Sequence, residues 1–327
     1  MALPASGAIS LSDFNTELGI TAGTTISMND ADVRGLLGLA SGAEASFSDY
    51  YGASSVVDIA LTIAADTNNY NIFSSKGGTY VAGKSSVTLT INSGVSVGST
   101  STGTYALDTG TGWASGDTIT IVNNGTVRGR GGDGGDGGSS INNSSGAKVS
   151  MSAGASGGIG GAAFRSQFAT AITNNGTFAG GGGGGGGGGA NRYFESGNKG
   201  GMQTIAGGGG GGGAGLGSGG AGGYAGDYTK VFANPTTTNN ATADSGSSGT
   251  ATAGGAGGVG RGNFNTDTND YSGGAGGGLG SAGSAGSTST TLSENTVAGA
   301  GGASGNYAVG NSNITWSTTG TRLGGVS

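Results

Sequence analysis

Hydrophobic and polar positions divide the chain into distinct regimes. Between residues 53 and 128, β-branched residues alternate with polar ones in "VVDIALTI" (Val56–Ile63), "SSVTLTI" (Ser85–Ile91) and "DTITIV" (Asp117–Val122), with Gly, Ser, Asn and Asp between them. A period of two bounded by turn residues predicts strands, and so a small β-rich base over 53–128. Residues 1–52 follow another pattern. "SLSDFNTELG" and "SMNDADVRGLLG" set Ser or Asn ahead of an acidic first turn and close on Gly, the signature of capped helices. "FSDYYG" (Phe47–Gly52) adds a short turn. These residues predict a short helical module, too small to hold a core alone. Alternation is lost from 129 to 310, and strand character returns at Ile314–Trp316 in the closing segment 311–327, expected to come back to the base.

The middle regime turns on glycine, which supplies 82 of 327 residues and stands ten times in a row from Gly180 to Gly189. A flexible linker keeps no register, whereas these tracts do. Arg130, Asp133 and Asp136 are spaced by three, as are Ser156, Ile159 and Ala162, and then Ser218, Ala221 and Tyr224. Three residues per turn is the period of polyproline II. Collagen shares it but needs abundant proline, and only Pro4 and Pro235 occur here. Side-chain-free backbones can approach closely enough to pair N–H with C=O, which the accounting of buried polar groups demands. The expected fold class is therefore mostly irregular and β. It has a polyglycine II bundle of about eight packed left-handed helices, a small β base and the short helical N-terminal module. Gly180–Gly189 and Gly207–Gly213 belong in its middle, and Asp133 and Asp136 at its solvent edge. A disordered linker is the alternative.

A repeat ties the regimes together. "IVNNGTVRG" (Ile121–Gly129) aligns with "ITNNGTFAG" (Ile172–Gly180): a short strand, an Asn-Gly turn, one apolar residue, then a glycine tract. Two copies imply two departures from one end of the base.

Composition narrows the chemistry. The chain has neither cysteine nor histidine, which removes thiolate nucleophiles, disulfides and the commonest metal ligand and general base. A net charge of −6 argues against nucleic acid and anionic membranes as partners. No signal peptide and no membrane-spanning run is evident, and no membrane insertion is expected. "GTYVAGKS" (Gly78–Ser85) matches the phosphate-loop spacing, but a strand-like run follows where a helix is required, so a β-turn is the better reading. "GGDGGDGGS" resembles a single calcium-binding nonapeptide without tandem copies, leaving open whether Asp133 and Asp136 hold an ion. Carboxylates are scattered, so no catalytic, cofactor or metal site is expected.

The "I-x-N-N-G-T-[VF]-x-G" segments followed by G-G-x tracts, over about residues 115–327, resemble the glycine-rich receptor-recognising adhesins at the tips of T-even-like phage long tail fibres. "MALPASGAISLSDFNTELG" with "FSDYYG" resembles the opening of many phage tail structural proteins. The resemblance implies a virion protein that meets other phage tail proteins through residues 1–52. It would bind a host outer-surface protein or glycan through its loops, as a monomer on a trimeric fibre or as a homotrimer. A purely architectural virion protein and an ice-binding protein are the alternatives. Counting tracts, with a split near Ala214–Leu216 because seventeen residues would span about 53 Å, gives an even number. It puts 139–153, 190–206, 224–253 and 287–298 at the far end and 263–272 near the base. Arg192, Tyr193, Phe194, Tyr224, Tyr228 and Phe232 are then the expected receptor contacts, and Phe264 and Tyr271 are not.

Overall fold

The structure is a computed structural model. It describes residues 2–40, 42–142, 148–195, 201–221, 224–226, 241–262, 267–268, 271–289 and 294–327.

The alternating segments form strands whose apolar positions turn inward. In Ser85–Ile91, Val87, Leu89 and Ile91 are buried while the intervening Ser86, Thr88 and Thr90 are half-buried. This strand lies in a parallel five-stranded sheet in the order 57–63, 85–91, 118–123, 170–174, 314–318. A second parallel sheet orders 67–68, 96–98, 126–128, 177–179 and 321–323, and a third contains 70–71, 107–108, 164–165, 306–309 and 325–326. The chain visits the sheets in rotation, first, second, third, then first again, so it winds five times around a common axis. Ile59, Leu89, Ile121, Ile172, Phe164 and Phe178 share one interior cluster.

The sequence repeat is two neighbouring windings in register: Ile121 sits beside Ile172, Asn123 beside Asn174 and Thr126 beside Thr177. At this corner Asn123 Nδ2 donates to Asn174 Oδ1 (2.9 Å), and Asn174 Nδ2 donates to the Thr319 carbonyl of the next winding (2.8 Å). Both asparagines are buried.

The glycine-rich region is two insertions, 129–163 and 180–305, placed between second-sheet and third-sheet strands of the third and fourth windings. Each begins and ends at one place, since a Cβ on Gly129 would overlap the Gly161 carbonyl and one on Gly180 the Gly305 carbonyl. Inside, extended tracts run away from the base and back. The N–H groups of Gly181, Gly184 and Gly187 donate to Gly161, Gly158 and Ala155; those of Gly182, Gly185 and Gly188 to Ala214, Gly211 and Gly208; those of Gly183, Gly186 and Gly189 to Ser281, Ser284 and Ser287. Successive residues thus address three different neighbours in turn.

The expected fold class is corrected here. The chain is mostly β, organised by five-stranded parallel sheets with few and short helices, and a polyglycine II bundle of about eight left-handed helices is not among its elements. The glycine tracts carry neither helix nor strand assignment. Three-residue spacing in the sequence reflects which positions of a tract face a neighbouring run, whereas the sheets dictate the architecture.

Tract number also differs. Among the described residues there are ten runs, because the chain reverses at 214–216, again where Thr250 N–H donates to the Ala253 carbonyl (2.8 Å), and again where Ser281 N–H donates to the Gly278 carbonyl (3.0 Å). The last reversal lies against the base, with Gly280 beside Leu323 and Gly324.

Residues 1–52 hold more than short helices. Leu11–Leu18 starts at Ser10, whose N–H donates to Asp13 Oδ2 (2.7 Å), and ends at Gly19 in the left-handed region (φ 70°). Leu3, Phe14, Ile26, Val33 and Tyr50 are buried together, with the Phe14 and Tyr50 rings edge-on at 5.0 Å. Glu17 joins the module to the base by accepting the Ser55 N–H (2.6 Å).

Candidate functional site

Outward runs end in two sheets at the far end. One is mixed, in the order 148–151, 140–142, 224–226, 241–242. The other is antiparallel, in the order 267–268, 260–262, 201–206, 191–195, 294–295. Ala206, Ala241 and Ala243 form the one apolar cluster identified there among the described residues.

Charged ties hold the two sheets. Arg192 Nε donates to Asn142 Oδ1 (2.8 Å) and Nη1 to Glu294 Oε1 (3.1 Å), so one side chain links the first insertion to both ends of the second. Its side chain is 13% exposed. Arg261 grips Asp244 through two bonds of 3.1 Å each. Buried Asn191 donates to the Glu294 carbonyl (2.8 Å).

Of the residues singled out in the sequence, Arg192, Tyr193 and Phe194 lie on the strand Asn191–Glu195, and Tyr224 opens the strand Tyr224–Gly226. Tyr228, Phe232 and Phe264 lie outside the described residues. The 263–272 segment was expected near the base, yet Gly260–Gly262 pairs with the strand Gly201–Ala206 at the far end. Two reversals, at Thr250–Ala253 and Gly278–Ser281, changed the count. Tyr271 is 1% exposed and its hydroxyl donates to Asn295 Oδ1 (2.9 Å), so it underpins the far end from within.

Asp133 and Asp136 are exposed, but each carboxylate accepts a backbone N–H of the neighbouring tract, Ser218 (2.7 Å) and Ala221 (2.8 Å). Those bonds replace the carbonyl that a further tract would have offered. No group of three or more potential metal ligands occurs among the described residues.

The phosphate-loop lookalike is also occupied from within. Asp117 accepts N–H bonds from Gly83 (2.8 Å), Ser85 (3.1 Å) and Ala114 (2.8 Å) and the Tyr80 hydroxyl (2.6 Å). The strand Ser85–Ile91 follows in place of a helix. Burial works to raise the Asp117 carboxyl, but these four bonds outweigh it and hold it below the ordinary carboxylate value. A lowered folded value means stability that is present above the unfolded pKa of about 3.9 and lost as pH falls through the folded one. Unfolding free energy measured in denaturant from neutral pH down to about pH 2 should therefore decline in that window, and Asp117→Asn should make the decline shallower.

No curated protein matches the chain. A crystal structure of the gp37-gp38 adhesin tip complex of the bacteriophage S16 long tail fiber aligns over 99% of this chain and 100% of its own matched chain, with 22% identity and a TM-score of 0.49. The family model for the phage tail fibre adhesin Gp38 matches residues 58–327, from the first strand of the base through both insertions to the last winding. The chain therefore belongs to the phage tail fibre adhesin Gp38 family, and is an adhesin of the virion's tail fibre.

Proposed function

We propose that the far end of the tracts is the surface that meets the host, and that residues 1–52 join the adhesin to other proteins of the tail. The observation that supports the first reading is the path of the chain. Both insertions leave the wound base, and strands bearing Tyr193, Phe194 and Tyr224 lie in the two far sheets. Tyr228 and Phe232 follow within the segment that begins at Tyr224. Aromatic residues dominate recognition surfaces because they supply contact area at low entropic cost. Arg192 holds the two insertions together. The action is binding without a catalytic step, and the ligand is a protein or glycan of the host's outer surface. No helix among the described residues is long and apolar enough to cross a membrane.

Changing Tyr193 and Phe194 together to alanine should lower host adsorption by about a hundredfold, the loss of two contact aromatics worth roughly 1–2 kcal/mol each. The melting temperature should stay unchanged. Normal adsorption in that variant, with the aromatics of 224–232 also replaced, would return the chain to an architectural role at this end.

A further inference from the structure

Each copy of the corner repeat contains an Asn-Gly pair, Asn124-Gly125 and Asn175-Gly176, and the chain has no other. Such a pair is chemically labile. The glycine nitrogen can attack the side-chain carbonyl carbon of the asparagine before it, unhindered by a Cβ. As the N–C bond forms, the nitrogen gives its proton to water and ammonia leaves, closing a five-membered imide. Water then opens the imide at either carbonyl and yields aspartate or isoaspartate.

Packing fixes glycine at both places. A Cβ on Gly125 would overlap the Val95 carbonyl of the preceding winding, and one on Gly176 would overlap the Gly125 carbonyl. At the matching corners on either side, Ser93 and Thr319 precede Gly94 and Gly320 and have no amide to lose.

A hydrogen bond restrains the reaction at each labile pair. Gly125 N–H donates to Asn123 Oδ1 (3.1 Å) and Gly176 N–H to Asn174 Oδ1 (3.2 Å). An acceptor on an N–H favours its protonated form, and the nitrogen attacks only once that proton is lost. Asn123 and Asn174 are 0% and 1% exposed and bonded to each other, so their oxygens are held in place. Asn175 is exposed and Asn124 half-buried, which leaves both pairs within reach of water.

We propose that Asn124 and Asn175 are deamidation sites kept latent by the buried asparagines before them, Asn123 guarding the first and Asn174 the second. Modification then follows opening of this corner and makes it permanent. Isoaspartate adds a methylene to the main chain just ahead of strands 126–128 and 177–179, from which the two insertions leave.

Peptide mass spectrometry, resolving aspartate from isoaspartate, reads the rates in the full chain incubated natively and in guanidinium chloride at one pH and temperature. Both sites should react more than ~tenfold more slowly in the native chain, where the corner opens rarely. Asn174→Ala frees the Gly176 nitrogen and leaves Gly125 on Asn123. Asn175 should then react about tenfold faster, the rate equivalent of one lost hydrogen bond, while Asn124 changes little. Asn123→Ala should show the reverse preference. Leu89→Ala hollows the same core away from the corner and should raise both sites alike. Native rates equal to those in denaturant overturn the proposal, a comparison that needs no variant to fold. So does an Asn175 to Asn124 ratio unchanged between folded Asn174→Ala and Leu89→Ala chains.

Discussion

Gly185→Ala should destabilise the insertions by about 2–3 kcal/mol or more, the cost of overpacking where neighbours cannot retreat. A Cβ there would overlap the Gly274 carbonyl and meet the Ala275 carbonyl carbon at 2.9 Å. Gly185 also donates to the Gly211 carbonyl (2.8 Å) and accepts from Gly135 N–H (2.8 Å), so any retreat breaks bonds to two further tracts. Gly210→Ala should behave alike, because its Cβ would overlap the Gly185 carbonyl. Gly278→Ala is the control: it sits at a reversal with nothing within 4 Å of the added carbon. Asp133→Ala removes the acceptor of an exposed N–H and should cost less than either interior change. Equal melting temperatures for Gly185→Ala, Gly210→Ala and Gly278→Ala would show that the tracts do not pack as described.

Asn174→Ala should cost about 3 kcal/mol, the sum of several buried polar groups left without partners. Its Oδ1 accepts from Asn123 Nδ2 (2.9 Å) and Gly176 N–H (3.2 Å), and its Nδ2 donates to the Thr319 (2.8 Å) and Thr321 (3.3 Å) carbonyls. One amide thus holds three windings. Asn175, next in sequence, is exposed and its side chain makes a single bond, to Asn124 Oδ1 (3.0 Å). Asn175→Ala should change stability by a few tenths of a kcal/mol, as surface substitutions do. Denaturant titrations of the two variants check this, and similar midpoints would remove the asparagine ladder as a source of stability.

The contrast between these asparagines was partly legible. The alignment of Ile121–Gly129 with Ile172–Gly180 marks the corner where the insertions leave, and the structure places the two copies in adjacent windings. Two more windings carry degenerate versions of that corner, "SGVSV" with Gly94 and "TGTRL" with Gly320. They were hidden because only the glycine and its β-prone followers persist. Strands such as Tyr70–Asn71, Leu107–Asp108 and Phe164–Arg165 are two residues long, below any periodicity, so the three-sided winding had no local signature. Of the reversals, that at 214–216 is legible from the length of the tract. Those at Thr250–Ala253 and Gly278–Ser281 use the same Gly, Ala, Thr and Ser as the tracts and carry no signature of their own. At the far end, "NRYFE" reads as a run of contact residues, but nothing local to Arg192 indicates that its partners are Asn142 and Glu294, fifty and about a hundred residues away.

The lateral bonding of the tracts has a mechanical consequence. If the far end is pulled away from the base, as the proposed attachment would do, tension runs along the tracts while their hydrogen bonds lie across them. Such bonds are loaded in shear and must fail together, whereas bonds pulled open at one edge fail in sequence. Since the Gly180–Gly189 tract donates to three neighbouring runs and accepts from three others, its slippage is opposed on every side. Single-molecule extension between the far sheets and the base should therefore give a rupture force well above that for peeling the last winding, Ile314–Val326, from its edge; forced unfolding reports this barrier directly.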